Sequence, residues 1–134
     1  MKLTFLSIVL AFTLILCSVF CKKDHGAATP PPRNVQFQLY TTHDFSSAGD
    51  EMIDFTMIIH SGMQDLWDSA LPPMKVKDIP GVANKIVVEK QVPGNNTGEL
   101  LVGFLYTIEG VGQSWNLDTA KAGETFKVIA YDFN

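Results

Sequence analysis

From Asn34 onward, apolar and polar residues alternate along most of the chain. "NVQFQLYT" sets Val35, Phe37, Leu39 and Thr41 on one face against Gln36, Gln38 and Tyr40. "IDFTMIIH" does the same with Ile53, Phe55, Met57 and Ile59 against Asp54, Thr56, Ile58 and His60. A period of two predicts strands with one buried and one wet face. "MKVKDI" and "NKIVVEKQV" read as further strands, the second ending in the dense turn signal "PGNNTG". "LLVGFLYTIE" is apolar on both faces, which predicts a central strand covered on both sides. "SWNLDT" is short and strand-like, and "TFKVIAYDF" closes the chain as an aromatic-rich strand. "SGMQDLWDSAL" is the best helix candidate. It is stopped by Pro72 and Pro73, and reads equally as the edge of a sheet. "DIPGVANK" is a connector with room for one helical turn.

Short strands with turn signals every 8–12 residues predict an all-β domain over residues 34–134: an antiparallel β-sandwich of seven to eight strands. Immunoglobulin-like and transthyretin-like sandwiches both fit, because strand order is not carried by periodicity. The predicted core includes Phe37, Phe55, Val88 and Phe104, one from each of four strands.

The first 20 residues follow a different pattern. Lys2 precedes a run from Phe5 to Phe20 that is apolar apart from Ser7, Thr13 and Ser18, the anatomy of a signal helix for export. The run is short for a membrane span; an uncleaved anchor helix is the alternative. Cys17 would leave with the signal, so Cys21 would stand alone in the mature chain with no internal disulfide partner. This stretch resembles a bacterial lipoprotein signal, in which the cysteine becomes the first residue and its sulfur carries a diacylglyceryl group. "CKKD" at Cys21–Asp24 is similar to the start of many Bacteroidota lipoproteins. Phe20 stands where such signals have Gly, Ala or Ser, and cleavage after Ala28 is the alternative. Residues 21–33 then read as a Pro-rich tether, with Pro30, Pro31 and Pro32 favouring an extended spacer and Lys22, Lys23 and Arg33 free to meet anionic headgroups.

Charge narrows the partners. From residue 34 on there are six Lys and thirteen Asp or Glu, hence a net of −7. An acidic domain repels phosphate backbones, so no nucleic acid is expected. His43 opens the polar loop "HDFSSAGDE", but its spacing matches no metal site, so neither metal nor cofactor is expected. No G-x-S-x-G or mature catalytic cysteine is present, and a non-enzymatic protein is expected. Tyr40, Trp67 and Trp115 are the candidate platforms for stacking a sugar ring or a partner protein.

The segments "VQFQLYT", "WDSALPPMKVKDIPG", "KIVVEK", "VGFLYTIEGVGQSW" and "LDTAKAGETFK" resemble, in that order, a group of small Bacteroidota lipoproteins. The resemblance implies a β-sandwich on a lipid tether and no particular activity. The triplets Asp68-Ser69-Ala70 and Asp118-Thr119-Ala120 resemble the O-glycosylation acceptor pattern of exported Bacteroidota proteins, which makes Ser69 and Thr119 candidate acceptors at strand-to-loop junctions. The expectation is therefore a lipid-anchored envelope protein, on the outer membrane, that binds a partner protein or assembly. A carbohydrate-binding module using exposed aromatics is the alternative.

Overall fold

The computed structural model describes residues 28–47 and 49–134. The expected export signal, Cys21 and the first part of the expected tether lie outside the described residues.

Eight strands follow in order: β1 (Arg33–Tyr40), β2 (Met52–Ser61), β3 (Gln64–Ala70), β4 (Met74–Lys75), β5 (Ile86–Val92), β6 (Leu100–Ile108), β7 (Gly112–Ala120) and β8 (Phe126–Asp132). They form two sheets, β5-β1-β8 and β3-β2-β6-β7, with the two-residue β4 beside the start of β2. The all-β sandwich is as expected, with one correction. The sheets are not wholly antiparallel, because β1 and β8 run side by side in the same direction. Both strands start from the end of the sandwich where the tether enters, so their directions match.

The expected helix candidate is a strand, β3. Ser61-Gly62-Met63-Gln64 makes a two-residue hairpin with Gly62 at φ 60, the geometry of a II′ turn with glycine in its first central position. The turn returns the chain onto β2, and ladder pairing overrides the weak helical spacing. "MKVKDI" keeps only two strand residues before a 3-10 turn over Val76–Asp78, and "DIPGVANK" holds the single turn Val82–Asn84.

The alternating residues meet between the sheets. Phe37, Phe55 and Phe104 are each 1% exposed, with Phe104 edge-on to Phe37 at 5.6 Å and to Phe55 at 6.2 Å between ring centroids. Val88 is only half-buried and packs against this cluster from the rim.

The domain begins earlier than expected. Arg33 is 4% exposed, and its guanidinium donates to five carbonyls: those of Asn96 and Gly98 in the β5–β6 loop, and those of Ala120, Lys121 and Glu124 around the β7–β8 loop. Arg33 is therefore not available to lipid headgroups. Its neighbour Pro30 packs on Gly94, where a Cβ would come within 1.8 Å of the Pro30 carbonyl oxygen. The tether is thus docked from Pro30 onward at one end of the sandwich, beside the β2–β3, β5–β6 and β7–β8 connections.

Candidate functional site

The three candidate aromatics lie in three different places. Tyr40 is half-buried on the outer face of the smaller sheet, in register with Asp132. Trp67 pairs with the inward-facing Ile59 and points between the sheets. Its ring lies 5.7 Å from Phe37 on one side, while the Lys90 Nζ stands 5.5 Å from its centroid. Both neighbours occupy surfaces a stacked ligand would need. Trp115 pairs with the outward-facing Leu105, is 67% exposed, and stands on the outer face of the larger sheet. Of the three, only Trp115 presents an open ring on a sheet surface.

The register shows what surrounds it. On this outer face Ile58, Gly103 and Leu117 lie in one cross-strand row, and Thr56, Leu105 and Trp115 in the next. Gly103 contributes no side chain and is itself buried, with Ile58, Leu101, Leu105 and Leu117 as its neighbours on this face. Ile58 is only 4% exposed despite facing outward, whereas Leu101 and Leu105 are each 39% exposed. Gly103 has φ 156, and a Cβ there would meet the Asn116 carbonyl oxygen at 2.1 Å, so close approach of β6 and β7 requires glycine. The sequence marked β6 as apolar on both faces and covered on both. It is central, but nothing in the described residues covers its outer side.

Polar groups flank this apolar centre. A shallow open groove of about 250 Å³ runs beside Trp115, lined by Asp54, Thr56, Leu105, Thr107 and Gln113. The strands β2, β3, β6 and β7 contain no Lys or Arg, and Asp54, Asp65 and Asp68 lie on the outward register. Asp65 is 3.3 Å from the His60 Nε2. This face is therefore an apolar centre within a rim of hydroxyls, amides and carboxylates. These surrounding residues were not singled out from sequence; the two-faced apolarity of β6 was the signal that pointed to them.

The remaining candidates are scattered. His43 lies tilted against Phe45, 4.8 Å between ring centroids, and Asp44 accepts from the Ser46 backbone N–H, which holds its carboxyl below the ordinary carboxylate range. Asp50 is held low in the same sense by Lys77 and Lys75. Among the described residues no three His, Cys, Asp or Glu side chains converge as a metal site would need. Ser69 and Thr119 are the penultimate residues of β3 and β7, next to the loops that follow. Ser69 is half-buried, while Thr119 is exposed on the Trp115 face.

No family model matches the chain, and no curated protein or solved structure shows significant similarity to it.

Proposed function

We propose that this chain is a non-catalytic, lipid-anchored protein of the cell envelope that docks a partner protein through the outer face of its larger sheet. One observation carries the reading. β6 is apolar on both faces, yet Leu105 beside the open Trp115 ring, and Leu101 further along the same face, are left to solvent. Exposed apolar patches rimmed by polar groups mark interaction surfaces, and tryptophan is enriched among the residues that dominate binding energy. The resemblance of the first residues to a lipoprotein signal supports the anchor: a diacylglyceryl group on Cys21 would hold the domain at the outer membrane of a Bacteroidota-like envelope.

The fold type that fits this reading is transthyretin-like. The first and last strands pair in parallel, and β1 and β2 fall in opposite sheets. An immunoglobulin constant-type sandwich would keep its first two strands in one sheet.

The test is site-specific photo-crosslinking in the native host. A photoreactive residue at Leu105 is expected to give a defined adduct that disappears in Trp115→Ser, whereas one at Val87, on the other sheet, gives none. Equal crosslinking from both positions would overturn the reading.

A second reading, a glycan ligand, is favoured by the groove itself: Asp54, Thr56, Thr107 and Gln113 offer sugar hydroxyls acceptors and donors beside a stacking ring. Titration with purified envelope polysaccharide separates the two. Trp115 fluorescence that shifts saturably with polysaccharide, in a Trp67→Phe background, would support the sugar.

A further inference from the structure

We propose that the flank between β3 and β5 is a binding site for a small amphipathic anion, one negatively charged head on a short alkyl body. The site lies between the sheets, away from the Trp115 face, and the inference stands without that docking reading.

A cleft of about 270 Å³ opens on this flank, lined by Leu66, Trp67, Lys90, Gln91, Val92 and Pro93. A bulge in β3 shapes one wall. Trp67 pairs with Ile59 and Asp65 with His60, which leaves Leu66 as the extra residue between them. Leu66 and Trp67 both pack against the core, so two successive side chains of one strand turn toward the space between the sheets. Bulges re-aim side chains in this way beside functional sites. Val92, 2% exposed, and Pro93 bring the apolar wall from the other sheet. The volume lies just under the range of drug-sized pockets, roughly 300–1,000 Å³, so the occupant is small.

Lys90 supplies the charge. Val35 of the central strand pairs with Lys90 on one side and with Lys127 on the other, so one cross-strand row points a lysine inward at each edge of the smaller sheet. The two lysines differ in their partners. Lys127 meets the Asp118 carboxylate of β7. Lys90 makes no ion pair among the described residues, and its Nζ stands 5.5 Å from the Trp67 ring centroid. The carboxylates of β3 and β5 all face away from it. Asp65 and Asp68 lie on the outward register of β3, and Glu89 accepts from Gln36 on the outer face of the smaller sheet. An inward lysine guards an edge strand against pairing. Lys127 does so with its charge answered, and Lys90 with its charge unanswered.

That difference selects the occupant. A charge drawn in between two sheets is stabilised by an opposite charge, as Asp118 does for Lys127. On the Lys90 flank the head group of a ligand takes the place of Asp118. The head is a single anion, because Lys90 is the cation among the residues lining the cleft. A neutral head would leave the ammonium unanswered, and a cationic head would meet it in repulsion. The body is apolar, because Leu66, Val92 and Pro93 line the rest. It does not stack on Trp67, whose ring already meets Phe37 at 5.7 Å and carries Lys90 above it. The indole instead reports the arrival of a charge at Lys90.

Octanoate, kept below its micellar range, is the probe. It is titrated into the full chain carrying Trp115→Phe, which leaves Trp67 as the single tryptophan. Trp67 fluorescence and the Leu66 and Val92 methyl signals are expected to move together and saturably. Octanol and octylammonium, which keep the body and change the head, should bind about 10-fold more weakly or worse. Lys90→Gln removes the charge and should weaken octanoate by about the same factor, while Lys90→Arg retains it. Circular dichroism checks that each variant is folded, and both lie on an edge strand where the side chain is half-buried. Octanoate that moves neither the fluorescence nor the methyls, octanol that binds as tightly, or a folded Lys90→Gln variant that binds octanoate unchanged overturns the proposal. Crosslinking at Leu105 reads the outer face of the larger sheet, so either surface can fail without the other.

Discussion

Lys127 of β8 reaches across to Asp118 of β7, 2.7 Å from Nζ to Oδ2, and so ties an edge of the smaller sheet to an edge of the larger one. An inward-pointing charge on an edge strand also discourages edge-to-edge association. The Lys127 ammonium, and after it the Thr119 backbone N–H, hold the Asp118 carboxyl below the ordinary value of 3.8. A depressed folded-state value means stability present above pH ~4 and lost as pH falls through the folded-state value. Because Asp118 is mostly solvated, the pair contributes only about 0.2–1 kcal/mol. Asp118→Asn should flatten the acid limb of a stability-against-pH curve, and an unchanged limb would show that another carboxylate controls it.

Tyr131 titrates in the opposite sense. Burial first, and then the Tyr106 hydroxyl, raise its phenol above the ordinary value of 10. The neutral form is favoured on folding, so this contribution is complete below pH ~10 and is lost as pH rises beyond it. Absorbance titration near 295 nm should show one tyrosine ionising late, together with alkaline unfolding. Tyr131→Phe should abolish that late step.

Core truncation should be severe where the three phenylalanines meet. Phe104→Ala is expected to cost about 3–5 kcal/mol, a large share of a small domain's stability, whereas the rim variant Val88→Ala should cost about 1 kcal/mol. Urea unfolding measures both. Equal losses would mean that Val88 is as deeply packed as Phe104.

Arg33 holds two loops and the tether to the end of the sandwich. Arg33→Met should destabilise by about 2–3 kcal/mol, since hydrogen bonds from a charged group are lost together. Arg33→Lys should recover little, because an ammonium cannot reproduce the guanidinium fork. Near-native stability of the lysine variant would show that charge alone suffices.

Processing and modification can be read by mass. Cys21→Ser should release the protein from the membrane fraction, and a mature chain beginning at Thr29 would instead indicate ordinary secretion. O-glycosylation at the Asp-Ser/Thr-Ala triplets is expected at Thr119, which is exposed, and not at the half-buried Ser69. Intact mass from the native host should carry a hexose-bearing excess that vanishes in Thr119→Ala. A mass equal to the lipidated polypeptide excludes it.

The alternation of side chains by itself determined that this is an all-β chain and which residues of β1 and β2 face inward, because a strand's two faces are set by parity alone. It also marked β6 as apolar on both sides. Pairing across long sequence distances decided the rest. Trp67 and Trp115 sit in similarly mixed segments, and only their partners, inward Ile59 and outward Leu105, send one ring between the sheets and the other to solvent. Arg33 reads locally as the last residue of a tether, yet carbonyls 63 to 91 positions away make it a buried clamp. The parallel joining of β1 to β8 follows from which sheet each strand enters. Strand order is a property of the folded ensemble of contacts, and no local pattern encodes it.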